Sequence, residues 1–333
     1  LMDSGIGTRG RESREALGPY LGHGFHLDMK LCQIISILAL TVLLGCSTSV
    51  EKELFTSPTR DTYEHDGIRI HFKDLGIGRT IVFIHGFGAS LDSWRFMVES
   101  LKNEYRLVLL DLKGHGYSDK PPDSRYSVRD QADIVIGLLE HLGVSNAVLV
   151  GHSFGSAVAL LVALSAQESS SGIVSGLFLI AGSVDADNLP FALRLLRTPV
   201  IGWLAMKLTS ASFRTRLALT KAYYDDEKIT DSVVELYAKY QNIPGTDYAF
   251  LKTAEQLIPQ DFIHLKQELR KLQIPLVNIW GERDEIIPRD SAEGVCKILP
   301  RCTFVTVDVV GHIPHEETPD KIVPLLRNFL YTH

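Results

Sequence analysis

Residues 147–156 read AVLVGHSFGS. Ala147–Val150 is a short continuous apolar run, the pattern of a strand covered on both faces. Directly behind the serine, residues 154–166 (FGSAVALLVALSA) are small and apolar, the composition of a closely packed helix. Gly151-His152-Ser153-Phe154-Gly155 therefore sits on a tight strand-to-helix turn that aims the Ser153 hydroxyl out of a sheet. Glycines two before and two after the serine remove Cβ atoms that such a turn would crowd.

Outward from this point the chain alternates. Thr62–His65 and Ile68–Lys73 flank Asp66-Gly67, a two-residue hairpin signal. Thr80–Ile84 and Arg106–Leu110 repeat the apolar-run signature, and Leu177–Ile180, Pro275–Trp280 and Phe304–Val307 follow later. Between them Ile134, Leu138, Leu139 and Leu142 recur at helical spacing before Gly143, and further helices are predicted near Asp290–Ile298 and Pro319–Leu330. Alternation of this kind implies an α/β fold with a mostly parallel central sheet and helices on both faces. Residues 185–262 lack strand-like runs and read as a helical cap inserted into a core of 61–184 and 263–333. Within the cap, Leu195, Leu196, Ile201, Trp203, Leu204 and Met206 are expected either to line an apolar pocket or to pack helix on helix.

A serine hydroxyl needs a base, and the base an orienting acid. Asp284, in GERDEIIP behind a strand, and His312, in GHIPHEETP behind the last strand, supply both in the chain order this turn expects. Asp284 follows Ser153 by 131 residues and His312 follows Asp284 by 28. Glu282 and Glu285 compete for the acid role and His315 for the base. His312 and His315 lack a third ligand at suitable spacing, so no metal is expected. His85-Gly86-Phe87-Gly88 follows the strand Thr80–Ile84 and suits an oxyanion loop. The Phe87 and Phe154 backbone N–H groups are the candidate donors, with His85 bonding neighbouring backbone.

Taken together, HGFGAS, DLKGHGYSDKP, GHSFGS, GERDEIIP and GHIPHEETP resemble, in order, the motifs of the α/β-hydrolase fold superfamily over residues 61–333. The resemblance implies a serine hydrolase acting on carboxylic esters with a Ser153–His312–Asp284 triad and no cofactor. The substrate is expected to be a small ester with an apolar part. A C–C bond hydrolase of ring-cleavage products shares the same triad, and a non-catalytic ligand-binding member of the fold is the reading from another class. The loop Asp111–Asp119 is similar to one in epoxide hydrolases and haloalkane dehalogenases, whose nucleophile is Asp. Ser153 at that position excludes both activities, and Asp111 and His115 read as loop-organising.

The 333 residues carry 34 basic and 40 acidic side chains, a net charge of −6 without a clustered basic tract, which argues against nucleic-acid binding. Leu31–Leu44 is an uncharged run of 14 residues behind Met29-Lys30, too short to span a bilayer and fitting a secretory signal. Leu43-Leu44-Gly45-Cys46 resembles the lipobox of bacterial lipoproteins. That implies lipidation at Cys46, removal of residues 1–45, a tether over 46–60 and a place in the bacterial cell envelope, at the outer membrane. Met29 is read as the start, with 1–28 a misassigned extension. Cys296 and Cys302 are a candidate disulfide.

Overall fold

The computed structural model describes residues 62–185 and 189–333. The expectations for the signal, the Met29 start, Cys46 and the tether lie outside the described residues. Strands β1 (Thr62–His65) and β2 (Ile68–Leu75) form the expected hairpin, Thr62 opposite His71 and His65 opposite Ile68. Its turn residues Asp66 and Gly67 both take positive φ, the geometry that matches the twist of the flanking strands. Six more strands follow: β3 (Thr80–Ile84), β4 (Arg106–Leu110), β5 (Ala147–His152), β6 (Val174–Ile180), β7 (Leu276–Gly281) and β8 (Cys302–Val307). The sheet order is β1-β2-β4-β3-β5-β6-β7-β8, antiparallel at the first two pairings and parallel from β4 onward.

Period-two alternation divides the core between the two faces. Val82, Ile84, Val108, Leu110 and Leu149 join one cluster with α2 (Val128–His141) and α3 (Phe154–Glu168). Ile81, Phe83, Leu107, Leu109 and Val150 join the other, with α1 (Arg95–Leu101) and the last helix. Helix α2 starts where Ser127 and Asp130 form a reciprocal capping box. The 3-10 turn Leu91–Trp94 and α1, which fill the opposite face, carried no signal in the sequence reading.

Between β6 and β7 lie α4 (Phe191–Leu196), α5 (Pro199–Leu208), α6 (Ala211–Ala222), α7 (Asp231–Gln241), α8 (Thr246–Glu255) and α9 (Phe262–Leu269). Leu265 and Leu269 of α9 pack into the core cluster of α3, so α4–α8 are the inserted elements. The chain ends through α10 (Arg289–Ile298), α11 (Pro314–Glu317) and α12 (Pro319–Thr332). Cys296 and Cys302 are joined as a disulfide with Cα atoms 4.9 Å apart. Among the described residues no helix is long and apolar enough to cross a membrane.

Strand β3 stands between β4 and β5, so the connections leave it in opposite directions. Such a reversal opens a crevice at the carboxyl ends of the strands. The loops beginning at His85 and Ser153 emerge there side by side.

Candidate active site

Ser153 occupies the turn from β5 to α3 at φ 50° and ψ −115°. This is a costly conformation for a residue with a Cβ, of order 1–3 kcal/mol. It is held by the Ser153 N–H donating to the Ile180 carbonyl at 2.9 Å and by the Ser156 N–H donating to the Ser153 carbonyl at 2.9 Å. A Cβ at Gly151 would lie 2.6 Å from the Gly155 oxygen. One at Gly155 would strike the Ile84 carbonyl, so the glycines serve the approach of α3 to β3 as well as the turn.

Asp284 and His312 are brought together. His312 Nδ1 lies 2.8 Å from Asp284 Oδ2, and the Asp284 side chain is fully buried. The other oxygen, Oδ1, accepts from the Ile286 and Ile287 N–H groups at 2.8 and 2.9 Å. Three donors thus fix the carboxylate. Glu282 and Glu285 are exposed and pair with Arg283 and Lys221. His315 is buried between Trp94 and His152, at ring-centroid distances of 4.4 and 4.6 Å, and neither of its ring nitrogens has a hydrogen-bond partner. Of the candidate acids and bases, Asp284 and His312 are the two that the fold hydrogen-bonds to each other.

His152, which the sequence reading left without a role, joins this pair to the turn. Its Nε2–H donates to the His312 carbonyl at 3.0 Å, and the two rings lie 4.9 Å apart. Burial, then His315 and His312, hold His152 far below the ordinary imidazole range, so it is a neutral donor at the serine's immediate neighbour. Among the described residues the Ser153 hydroxyl has no hydrogen-bond partner. In free enzymes a nucleophile–base bond is commonly long and tightens as substrate binds.

The two candidate oxyanion residues converge on one imidazole. The His115 ring lies 5.8 Å from Phe87 and 6.5 Å from Phe154, with Phe250 of α8 at 5.1 Å from both Phe87 and His115. Neither the Phe87 nor the Phe154 N–H donates to a protein acceptor among the described residues. His85 bonds backbone, donating from Nδ1 to the Gly86 carbonyl at 2.8 Å and accepting at Nε2 from the Leu112 N–H at 3.0 Å. Asp111, fully buried, accepts from His71 Nδ1 and from the Leu91 and Tyr117 N–H groups, each at 2.8 Å. Burial pushes its carboxyl up, yet the His71 bond and neighbouring charge bring it below its ordinary range. Both residues organise loops.

Two further carboxylates escaped the sequence reading. Glu316 and Glu317 are buried. Glu316 Oε2 accepts from Arg95 at 2.7 Å and from the Tyr223 hydroxyl at 2.8 Å, while Oε1 accepts from the Tyr237 hydroxyl at 2.5 Å. Glu317 accepts from the Gly311, Asp225 and Tyr224 N–H groups at 2.8, 3.0 and 3.3 Å. The His312 N–H donates to the Ala222 carbonyl at the end of α6, at 2.6 Å. The loop that carries His312 is thus fastened to the insertion. Adjacent acids after a proline are ordinarily a solvated first turn of a helix, and no local signal marks these as buried. Of the apolar residues expected to line a pocket or pack in the insertion, Met206 is buried and Leu195 and Leu196 are half-buried, whereas Ile201, Trp203 and Leu204 are exposed and turn toward solvent.

Residues 79–319 match the alpha/beta hydrolase fold family. The chain belongs to that family. It is 30% identical over 278 residues to the uncharacterized hydrolase YugF of Bacillus subtilis (strain 168), covering 82% of this chain and 98% of that protein. It superposes on a meta-cleavage product hydrolase of Pseudomonas fluorescens IP01 with a TM-score of 0.68 at 22% identity, over 81% of this chain and 97% of that one. A thermophilic esterase of Thermogutta terrifontis gives 0.64 at 24% identity, over 82% and 97%. At these identities the two structures establish the fold, and the family establishes a hydrolase.

Proposed function

We propose that this hydrolase cleaves carboxylic esters through an acyl-enzyme on Ser153. The observation that carries the reading is the Asp284–His312 hydrogen bond held against the serine turn by His152. The Ser153 hydroxyl attacks the acyl carbon while His312 Nε2 takes its proton. Asp284 holds the Nδ1–H and stabilises the imidazolium. The carbonyl oxygen becomes an oxyanion that accepts from the Phe87 and Phe154 N–H groups, an arrangement in which each donor contributes about 3 kcal/mol. Collapse expels the alcohol, which takes the proton from His312. Water then attacks the acyl-enzyme by the same proton route in reverse and releases the acid and Ser153.

C–C bond cleavage of a ring-cleavage product is the second reading, supported by the likeness to the meta-cleavage product hydrolase. Lipidation at Cys46 and a cell-envelope location stay proposals carried by the Leu43–Cys46 pattern. The test is a series of p-nitrophenyl esters of rising acyl length, set against a vinylogous diketone, with wild type and Ser153→Ala. Wild type should prefer an ester, and Ser153→Ala should lose about 10³-fold or more in kcat with its circular dichroism unchanged. A preference for the diketone moves the assignment to the second reading. Full ester turnover by Ser153→Ala would remove Ser153 from the mechanism.

A further inference from the structure

Helix α5 turns its apolar side outward. At about 100° per residue, Val200, Ile201, Trp203, Leu204 and Leu208 fall within one arc of about 160°. All five are exposed, Val200 by 68%, Trp203 by 53% and Leu208 by 70%. The opposite side carries Gly202 and Met206, both buried, and a Cβ on Gly202 would lie 2.8 Å from Leu251 of α8. Phe213 and Leu217, four apart on α6, are each 59% exposed. A helix on a protein surface normally shows water its charged side. Here only Lys207 interrupts the outward arc of α5.

Charge separates this segment from the rest of the molecule. Residues 189–222 hold six Lys or Arg and no Asp or Glu, within a chain of net charge −6. Lys207, Arg216 and Lys221 pair with Asp247, Asp231 and Glu285, and Arg214 donates inward to the Met206 carbonyl. Arg194 and Arg197 of the α4 end have no ion pair among the described residues. A second copy is a poor match for this face, because a two-fold interface would set the basic segment against itself. An apolar arc with a tryptophan, beside two arginines that have no ion pair among the described residues, matches the headgroup boundary of an anionic bilayer.

We infer that α4–α6 seat on the surface of an anionic lipid bilayer, with Val200, Trp203, Leu204 and Leu208 entering the headgroup boundary. Helix α8 lies behind this face, since α5 packs on its Leu251 while its Phe250 reaches Phe87. The docking face is therefore separate from the residues placed at the reacting centre. It is also independent of Cys46.

The three tryptophans make the test specific. Trp94 and Trp280 are buried, so Trp203 is the one whose emission reports the surface. Full-length protein is titrated with vesicles of phosphatidylglycerol and brominated phosphatidylcholine. The emission should shift to the blue and be quenched, and Trp203→Phe should abolish both responses. Purely zwitterionic brominated vesicles should bind about thirtyfold more weakly, the contribution of two unpaired arginines. Val200→Glu with Leu204→Glu should lose the quenching while circular dichroism and melting temperature stay those of wild type. Should that variant misfold, wild type and Trp203→Phe still decide. Trp203 emission that stays unquenched while the chain sediments with vesicles overturns the inference, because another segment then does the binding. A blue shift that grows with protein concentration in lipid-free buffer also overturns it, and assigns the face to a second copy.

Discussion

At the residue scale, the position before Ser153 does unexpected work. In the G-x-S-x-G pattern the second residue is nominally free, yet His152 spans from the serine turn to the His312 carbonyl. A neutral Nε2–H at that place sets how far the His312 backbone stands from Ser153. Replacing His152 by Phe keeps a ring against Gly86 and removes the donor. We expect kcat to fall about tenfold with KM nearly unchanged, a loss near 1.4 kcal/mol in the transition state. Steady-state kinetics on a p-nitrophenyl ester checks it, and an unchanged kcat would reduce the bond to packing. Asp284 is a case of the same kind. Glu282, Asp284 and Glu285 differ little as letters, and only Asp284 turns inward to collect three N–H donors.

At the element scale, the short helix α11 is a fastener. Its Glu317 gathers N–H groups from the His312 loop and from the segment after α6, and its Glu316 gathers Arg95 with two tyrosine hydroxyls. The Tyr223 and Tyr237 hydroxyls are raised well above the ordinary phenol range, by burial first and then by the Glu316 charge, and so remain donors. Glu317→Ala would leave the buried Gly311 N–H and its neighbours without an acceptor, a cost of roughly 2–3 kcal/mol. Urea denaturation should show the loss of stability. Ester turnover should fall with it, since His312 sits one residue beyond the loosened Gly311. Retained stability would mean that water replaces the carboxylate there. The insertion thus reaches the reacting centre through its attachment.

Across the whole molecule, acid sensitivity follows from buried neutral histidines. Burial lowers His85, His115, His152 and His315, and His115 is brought down to about 3 by burial first and then by His85. Unfolded, each would titrate near 6.5. Below that value the unfolded chain binds protons that the folded chain refuses, so stability falls as pH falls. For His115 the window runs from about 6.5 down to about 3, with a slope of up to about 1.4 kcal/mol per pH unit. Urea midpoints between pH 7 and 4.5 should decline, and His115→Gln should flatten the slope by about one such increment. A slope unchanged in His115→Gln would show that His115 accepts a proton within the fold. The physical reason for refusal is visible at His85, whose Nε2 already accepts the Leu112 N–H and has no lone pair left for a proton.

The strand runs, the helical period before Gly143 and the Asp66-Gly67 hairpin were all legible along the chain. Each rests on neighbours a few residues apart, through side-chain period, backbone freedom or turn chemistry. The first helix after β3 was not legible, because its short amphipathic stretch has no cap or period strong enough to stand out. Three other matters depended on contacts between distant segments. They are which carboxylate meets His312, why Glu316 and Glu317 can be buried, and which way the apolar side of α5 points. Periodicity shows that a helix has an apolar side but not what lies opposite it, and a buried charge is tolerable only where remote donors converge on it.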